Sequence, residues 1–308
     1  MKAEGSEEGQ VEDVQRIFNE MADEYDHLRD LWYRYTFGMI DGVLVRKFRH
    51  VFRPHNKPLA LDVGCGTGIQ SIRLASMGYK VIGLDVAEDL LRVAHKRSKK
   101  QYHDSEFLVA DAQSLPISDS TVECANCCGP TLSFVPDWRR SLSEISRCLK
   151  PGGQLLLEVE GKWNLDLFWE IVNAVGFNFL GYNTSLSAAL SHLVPPWDVG
   201  HLIRYSFKLE SGESVEMPLK LFSATELRRE LQNANLVEDK RWGLHVVTNL
   251  VPSTILHGSN PSRLLRLTFG ALAAVETRVN DLWPLNALGC SLLVLAHKTS
   301  GQRTGPTT

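Results

Sequence analysis

Apolar positions follow more than one rhythm along this chain, and the changes of rhythm mark its elements. From residue 11 to 52 they recur every three or four residues: Val14, Ile17, Phe18, Met21 and Tyr25, then Trp32, Tyr35, Phe37, Ile40, Leu44 and Phe48. That spacing predicts helix, ended by Pro54-His55-Asn56-Lys57-Pro58. From residue 59 short apolar runs alternate with helical stretches. Strands are predicted at 59–63, 80–84, 106–110, 122–127 and 154–159. Between them lie helices at 68–76, closed by Gly78, at 88–100, and at 137–149, stopped by Pro151-Gly152-Gly153. Such alternation predicts an α/β fold, a parallel sheet with helices on both faces and ligands at the C-terminal strand ends.

The second half is less regular. Residues 163–193 read as apolar helix, and 201–209 with 215–221 as a hairpin around Glu210-Ser211-Gly212-Glu213. Ser223 and Glu226 open a helix over 223–234 as a capping pair. A strand at 236–247, an interruption at 252–288 holding an amphipathic helix at 264–279, and a strand at 291–297 follow. That helix could rest on a membrane surface, but Glu276, Arg278 and Asp281 make it an unremarkable amphipathic one. The tail, 301–308, is read as disordered.

One turn carries chemistry. Leu61-Asp62-Val63-Gly64-Cys65-Gly66-Thr67-Gly68 joins a strand to a helix, with glycines where the backbone must turn tightly and approach a ligand. Asp85 closes the second strand, 19 residues after Gly66. A carboxylate at about that distance reaches ribose hydroxyls. A dinucleotide turn would place glycine at position 69, where this chain has Ile69. That departure argues against nicotinamide and flavin cofactors.

These residues resemble class I S-adenosylmethionine-dependent methyltransferases, in particular the small-molecule enzymes related to ubiquinone and menaquinone methyltransferases. Asp62 to Gly68 is similar to their first motif and Gly83-Leu84-Asp85 to their second. Ala110-Asp111-Ala112-Gln113-Ser114-Leu115-Pro116 and Leu149-Lys150-Pro151-Gly152-Gly153 resemble two further segments. The resemblance covers residues 11–160, and returns at 223–247 and 291–297. It implies a Rossmann-like, seven-stranded, mostly parallel sheet whose last strand is antiparallel. It implies S-adenosylmethionine as cofactor, held by Tyr25, Asp62, Gly64, Cys65, Gly66, Gly68, Asp85, Val86, Asp111, Ala112 and Cys128. Asp111 would accept from the adenine amine, the Ala112 amide would meet a ring nitrogen, and Tyr25 would close over the cofactor.

The expected organisation is a helical cofactor cover (1–56), a cofactor-binding core (57–160), a helical and hairpin lid (161–222), a return to the core (223–248), a second insertion (249–288), and a last strand with its tail (289–308). Tryptophans 163, 169, 197 and 283 with Phe177, Phe179 and Tyr182 enrich the insertions. A roof of that kind favours a small, apolar or aromatic acceptor, although extra helices need apolar faces in any case. No catalytic base stands out. Glu158 and Glu160 share one side of the fifth strand, and Glu160, nearer its end, suits contact with an acceptor or pairing with an arginine. His192, His201 and His245 are candidate bases, each more ordinarily a surface or packed histidine. The acceptor, its methylated atom and the oligomeric state stay open.

Composition narrows the partners. A net charge of −3 gives no pull toward nucleic acid or an anionic membrane. The end of the fourth strand, Cys127-Cys128-Gly129-Pro130-Thr131, lacks the motif of DNA amino-methyltransferases. Cys124 and Cys127 fall on opposite sides of a strand, so the six cysteines read as buried thiols, with no metal site. With no signal-peptide core and no span of about 18 apolar residues, a cytoplasmic protein without stable membrane association is expected. Three other readings remain: a nicotinamide oxidoreductase, an aminopropyl transferase, or a non-catalytic cofactor-binding member of the fold.

Overall fold

The structure, a computed structural model, describes residues 7–22, 25, 30–48, 57–101, 105–176, 178–182, 185–191, 193, 196–209, 211–258 and 260–300. Its centre is a seven-stranded sheet in the order β3-β2-β1-β4-β5-β9-β8. The strands are β1 (Leu59–Val63), β2 (Lys80–Asp85), β3 (Ser105–Val109), β4 (Val122–Cys127), β5 (Leu149–Glu160), β8 (Leu236–Leu244) and β9 (Ser291–Lys298). The first five run parallel, and β9 pairs antiparallel with both β5 and β8. A separate hairpin pairs β6 (His201–Lys208) with β7 (Ser214–Leu221).

Alternating side chains divide the interior into two cores. Leu155, Leu157 and Val159 of β5 join Leu292 and Val294 of β9 on one face, beneath α6 (Trp138–Cys148) and α9 (Ala224–Asn233). Leu156, Leu293 and Leu295 point the other way, against α2 (Leu31–Lys47) and α3 (Ile69–Ser76). Cys127 belongs to the first core and Cys124 to the second, as period-two alternation requires. All six cysteines are free and buried, and no metal-holding cluster occurs among the described residues. Among them, too, no helix is long and apolar enough to cross a membrane.

The remaining helices are α1 (Glu7–Glu20), α4 (Glu88–Gln101), α5 (Thr131–Phe134), α7 (Leu165–Val175), α8 (Leu186–Ser191), α10 (Ser253–Leu256) and α11 (Arg263–Val279). Helix α1 lays Val14 and Ile17 on Val215 and Met217 of the hairpin, so these two elements form one apolar layer.

The two helical runs expected over 11–52 are α1 and α2, the second beginning at Leu31 as expected and capped by Asp30 through Tyr33 N at 2.8 Å; residues 49–56 lie outside the described residues. Several sequence expectations need correcting. The apolar stretch 163–193 is two helices, α7 and α8. Pro151-Gly152-Gly153 does not lie beyond a helix stop at 149 but within β5, where the register with β4 shifts between Val122 and Cys124. The strand expected to 247 ends at Leu244, because His245 takes a left-handed φ of 58°.

Helix α11 departs most. Its supposed surface acid, Glu276, is wholly buried and accepts from the amides of His245 (2.7 Å), Val247 (2.8 Å) and Thr248 (2.7 Å) and from Thr248 Oγ1 (3.0 Å). Leu264, Leu267 and Val275 face outward instead. The sharp turn after β8 leaves several amides without ladder partners, and the two oxygens of the Glu276 side chain gather them. The tail at 301–308, Phe177 and His192 lie outside the described residues.

Candidate functional site

The glycine turn forms because three residues adopt positive φ in close succession: Gly64 at 67°, Gly66 at 51° and Gly68 at 77°. A β-carbon on Gly64 would overlap the Thr131 side chain, and one on Gly68 would meet Ala94 and Phe107 near 3.0 Å. At Gly66 and Gly129 a β-carbon would instead enter open space under Tyr25, whose ring and hydroxyl lie 3.9 and 4.0 Å off. These two glycines keep a cradle open beneath that ring, as a nucleoside-bearing ligand needs.

Asp85 ends β2 beside this cradle. Its Oδ2 accepts from Gly66 N at 2.8 Å and Oδ1 from Ala87 N at 2.9 Å. Burial raises its affinity for a proton, and the Ala87, Gly66 and Val86 amides offset that. Two amide bonds leave lone pairs on both oxygens, enough for vicinal hydroxyls. Asp111 accepts from Gln113 N (2.8 Å) and Gln113 Nε2 (2.9 Å), which fixes its carboxylate at the cradle's far end.

Tyr25, Gly64, Gly66, Asp85, Val86, Asp111 and Ala112 all line the cleft. Four residues expected on it do not. Asp62 is buried beneath the turn, taking Ser71 Oγ at 2.5 Å and Asn126 Nδ2 at 2.8 Å; burial pushes its carboxyl up to about 6. It ties α3 and β4 to the glycine strand and so shapes the turn. Cys65 packs with Leu91, Ala94 and Phe107, and Gly68 caps α3. Cys128 joins the core against α2, its Sγ 3.9 Å from Leu156 O. Burial pushes both thiols well above their ordinary value.

The cleft also takes residues not singled out from sequence. Gly129, Thr131 and Phe134 follow β4, and Val14 and Phe18 come down from α1. Gly129-Pro130 after an apolar strand, with φ of 88° at Gly129, was the legible signal for the first group. The approach of α1 is a tertiary fact without a local signal.

Next to the cleft lies a chamber of ≈ 1020 Å³. Gly129, Tyr25, Phe18 and Phe134 line both spaces and form the wall between them. Trp32, Tyr33 and Phe37 of α2 supply aromatic surface, and Glu158, Glu160, Asp166 and Glu170 supply carboxyls. Burial, with the charges of Glu158 and Asp166, pushes Glu160 up to about 8; burial and Asp166 push Glu170 to about 7. Glu160 lines the chamber, and no arginine salt bridge to it occurs among the described residues.

The histidine candidates separate. His201, at the start of β6, lines the chamber, its affinity for a proton lowered by burial and by Lys162 and Lys220. His245 is not a base. It is fully buried outside the chamber, with Nε2 on Thr36 Oγ1 (2.8 Å), Nδ1 on Thr248 Oγ1 (2.9 Å), and its ring stacked on Trp32 at 3.6 Å. Burial, with the His257 charge, pushes it down to about 3, so it stays neutral.

Residues 61–157 match the family described as a methyltransferase domain. A 2-phytyl-1,4-naphtoquinone methyltransferase of Nostoc punctiforme is 36% identical over 148 residues, 46% of this chain and 62% of that one. Residues 61–157 of the chain thus carry a methyltransferase domain. A demethylmenaquinone methyltransferase of Staphylococcus saprophyticus is 39% identical over 100 residues, 32% of this chain and 42% of the relative. The chain thus spans under two thirds of the length of either relative. Among solved structures, the cyclase SpnF aligns with a TM-score of 0.57 at 16% identity, covering 94% of this chain and 96% of that one. A Burkholderia thailandensis 1,6-didemethyltoxoflavin-N1-methyltransferase aligns at 0.53 and 13%, covering 97% and 93%. At such identities the likeness is one of fold. The family's usual methyl donor suits the cleft, since the space kept open by Gly66 and Gly129 ends at a carboxylate able to take a ribose.

Proposed function

We propose that this chain transfers the methyl group of S-adenosylmethionine to a small aromatic acceptor of the quinone type. The observation that carries this reading is the shared wall. A nucleoside-sized cradle and a large aromatic chamber meet at Gly129, Tyr25, Phe18 and Phe134. The names of the Nostoc and Staphylococcus relatives point to the acceptor class.

In this reading Asp85 holds the ribose, Asp111 and Ala112 meet the adenine, and Gly64 and Gly66 pass under the amino-acid portion. Val86 packs beside the ribose and Tyr25 covers the whole. Asp62, Cys65, Gly68 and Cys128 act one layer out, by shaping the turn. The donor supplies a methyl group already activated on a sulfonium. What remains for the protein is alignment of the acceptor and exclusion of water. The apolar wall and the joined roof of α1 and the hairpin do both.

A thermal-shift titration tests the donor. S-adenosylhomocysteine raises the unfolding temperature by mass action and NAD leaves it unchanged; stabilisation by NAD alone sinks the reading. No nucleic acid or stable membrane partner is invoked. The six-part domain organisation above is retained as part of this proposal, and so is a cytoplasmic location.

A further inference from the structure

Glu158 is a buried carboxyl with an incomplete set of partners. It has no exposed surface, yet it lines the chamber. Its Oε2 accepts from Gly129 N at 2.8 Å, in the wall shared with the cleft. Its Oε1 makes no close hydrogen bond among the described residues, and the Ser291 hydroxyl, which lines the same chamber, is the side-chain donor that favours its charged form. A buried acceptor left unsatisfied costs about 1–3 kcal/mol, a cost that a ligand donor reaching this wall would offset.

Glu160 stands two residues on along β5 and lines the same chamber. The basic groups lining the chamber are engaged elsewhere or held neutral. Lys162 donates to the carbonyls of Pro196 (3.2 Å) and Val199 (2.7 Å), Arg204 pairs with Glu216 at 3.0 Å, the His257 ring meets Asp30 at 2.8 Å, and burial with Lys162 and Lys220 lowers the proton affinity of His201. The groups whose charges bear on Glu160 are acidic, Glu158 and Asp166, and the Cys290 thiol before β9 feels Glu160 in turn.

We propose that Glu158 and Glu160 anchor the acceptor by its aromatic hydroxyl, that of a phenol or hydroquinone, and that one of them takes the hydroxyl proton as the methyl group arrives. This rests on the methyl-transfer reading above. Burial, then the charges of Glu158 and Asp166, favour the protonated form of Glu160, and burial acts the same way on Glu158. With one of the two protonated and the other ionised, they offer one donor and one acceptor. A hydroxyl matches both; an ammonium, which only donates, matches half.

The step balances without a co-reactant. The O–H proton passes to the ionised carboxylate. The electron pair of the oxygen, or of the ring carbon conjugated with it, forms the bond to the methyl carbon. The carbon–sulfur bond breaks with its pair going to sulfur, leaving S-adenosylhomocysteine. If ring carbon is methylated, its proton leaves afterward and the oxygen recovers one from the carboxyl.

The test pairs turnover with donor binding on the full chain. Labelled S-adenosylmethionine is offered with 1-naphthol, 1,4-dihydroxynaphthalene, 1,4-dimethoxynaphthalene or benzylamine, and S-adenosylhomocysteine affinity is measured by calorimetry. The wild type should methylate a hydroxyl-bearing probe and neither of the others. E158Q and E160Q should each lower that turnover about 100-fold while S-adenosylhomocysteine binds within twofold of wild type. E160D should recover part of the rate. Wild-type turnover should rise with pH toward about 8, a rise that E160Q removes. Unchanged turnover in both glutamine variants overturns the pair's role. Methylation of benzylamine alone, or of no hydroxyl probe, by a chain that binds S-adenosylhomocysteine overturns the acceptor class. Failure of wild type to bind S-adenosylhomocysteine strikes instead at the donor reading.

Discussion

The cleft at the glycine turn and the aromatic chamber lie side by side yet are built in opposite ways. Most of the cleft comes from short segments between Val63 and Pro136, at the C-terminal ends of β1, β2, β3 and β4. The chamber draws side chains from α1, α2, β5, α7, α8, both hairpin strands, α10 and the start of β9, between Ile17 and Ser291. A backbone site is specified by turn residues, whose requirements are local. A side-chain chamber is specified by which elements meet, and its chemistry can change without disturbing the turn. One fold can thus keep its donor while its acceptor varies.

That contrast can be broken in several places. The largest effect is expected at Asp85, where D85A removes the acceptor for two amides and, on the proposed function, for the ribose. S-adenosylhomocysteine affinity should fall about 100-fold or more by calorimetry, the scale of two charged hydrogen bonds. Full affinity would mean that ribose does not sit there. Next comes Glu276, far from the cleft. E276A strands the donors gathered after β8 and should cost about 3 kcal/mol in denaturant unfolding, with donor affinity of the folded protein unchanged.

A smaller effect comes from the chamber's acidity. The fold raises Glu160 from its ordinary 4.5 to about 8, so the folded state holds a proton that the unfolded chain releases. Stability from this group is full below about pH 4.5, is lost as pH rises to about 8, and is flat beyond. E160Q should therefore weaken the decline between pH 5 and 8 by about one proton in the linkage slope, read from unfolding midpoints. The smallest effect is at position 69. I69G restores a dinucleotide-like glycine spacing at the first turn of α3 and should cost about 1 kcal/mol without creating NAD binding. If NAD then binds, the discrimination assigned to Ile69 is more than a correlate.

How much was legible follows the same division. Strands β1 to β5 and the positions of Gly64, Gly66, Asp85 and Asp111 were readable because period-two alternation and turn chemistry act over a few residues. Cys65 and Cys128 were misplaced on the cleft because adjacency in sequence to a turn does not say which way a side chain points. His245 looked like any other histidine until folding set it between Thr36 and Thr248, 209 residues apart from the first. Glu276 was read as a surface charge because carboxylates rarely serve inside, and the demand for it arises from a turn 28 to 31 residues earlier. Glu160 was found because strand alternation and nearness to the strand end are both local facts.

The thin wall between cleft and chamber has a kinetic meaning. Gly129 has no side chain, Glu158 grips its amide from the chamber side, and the other wall residues are the aromatic Phe18, Tyr25 and Phe134, so the wall holds no thiol or amine to carry a methyl group as a covalent relay. The buried thiols Cys127 and Cys128, the nearest soft nucleophiles in sequence, are held in their protonated form by burial, Cys127 pushed up to about 12. On the proposed function both substrates must therefore be bound at once. Initial-rate plots against either one should intersect rather than run parallel, and a chiral methyl group should arrive with its configuration inverted once.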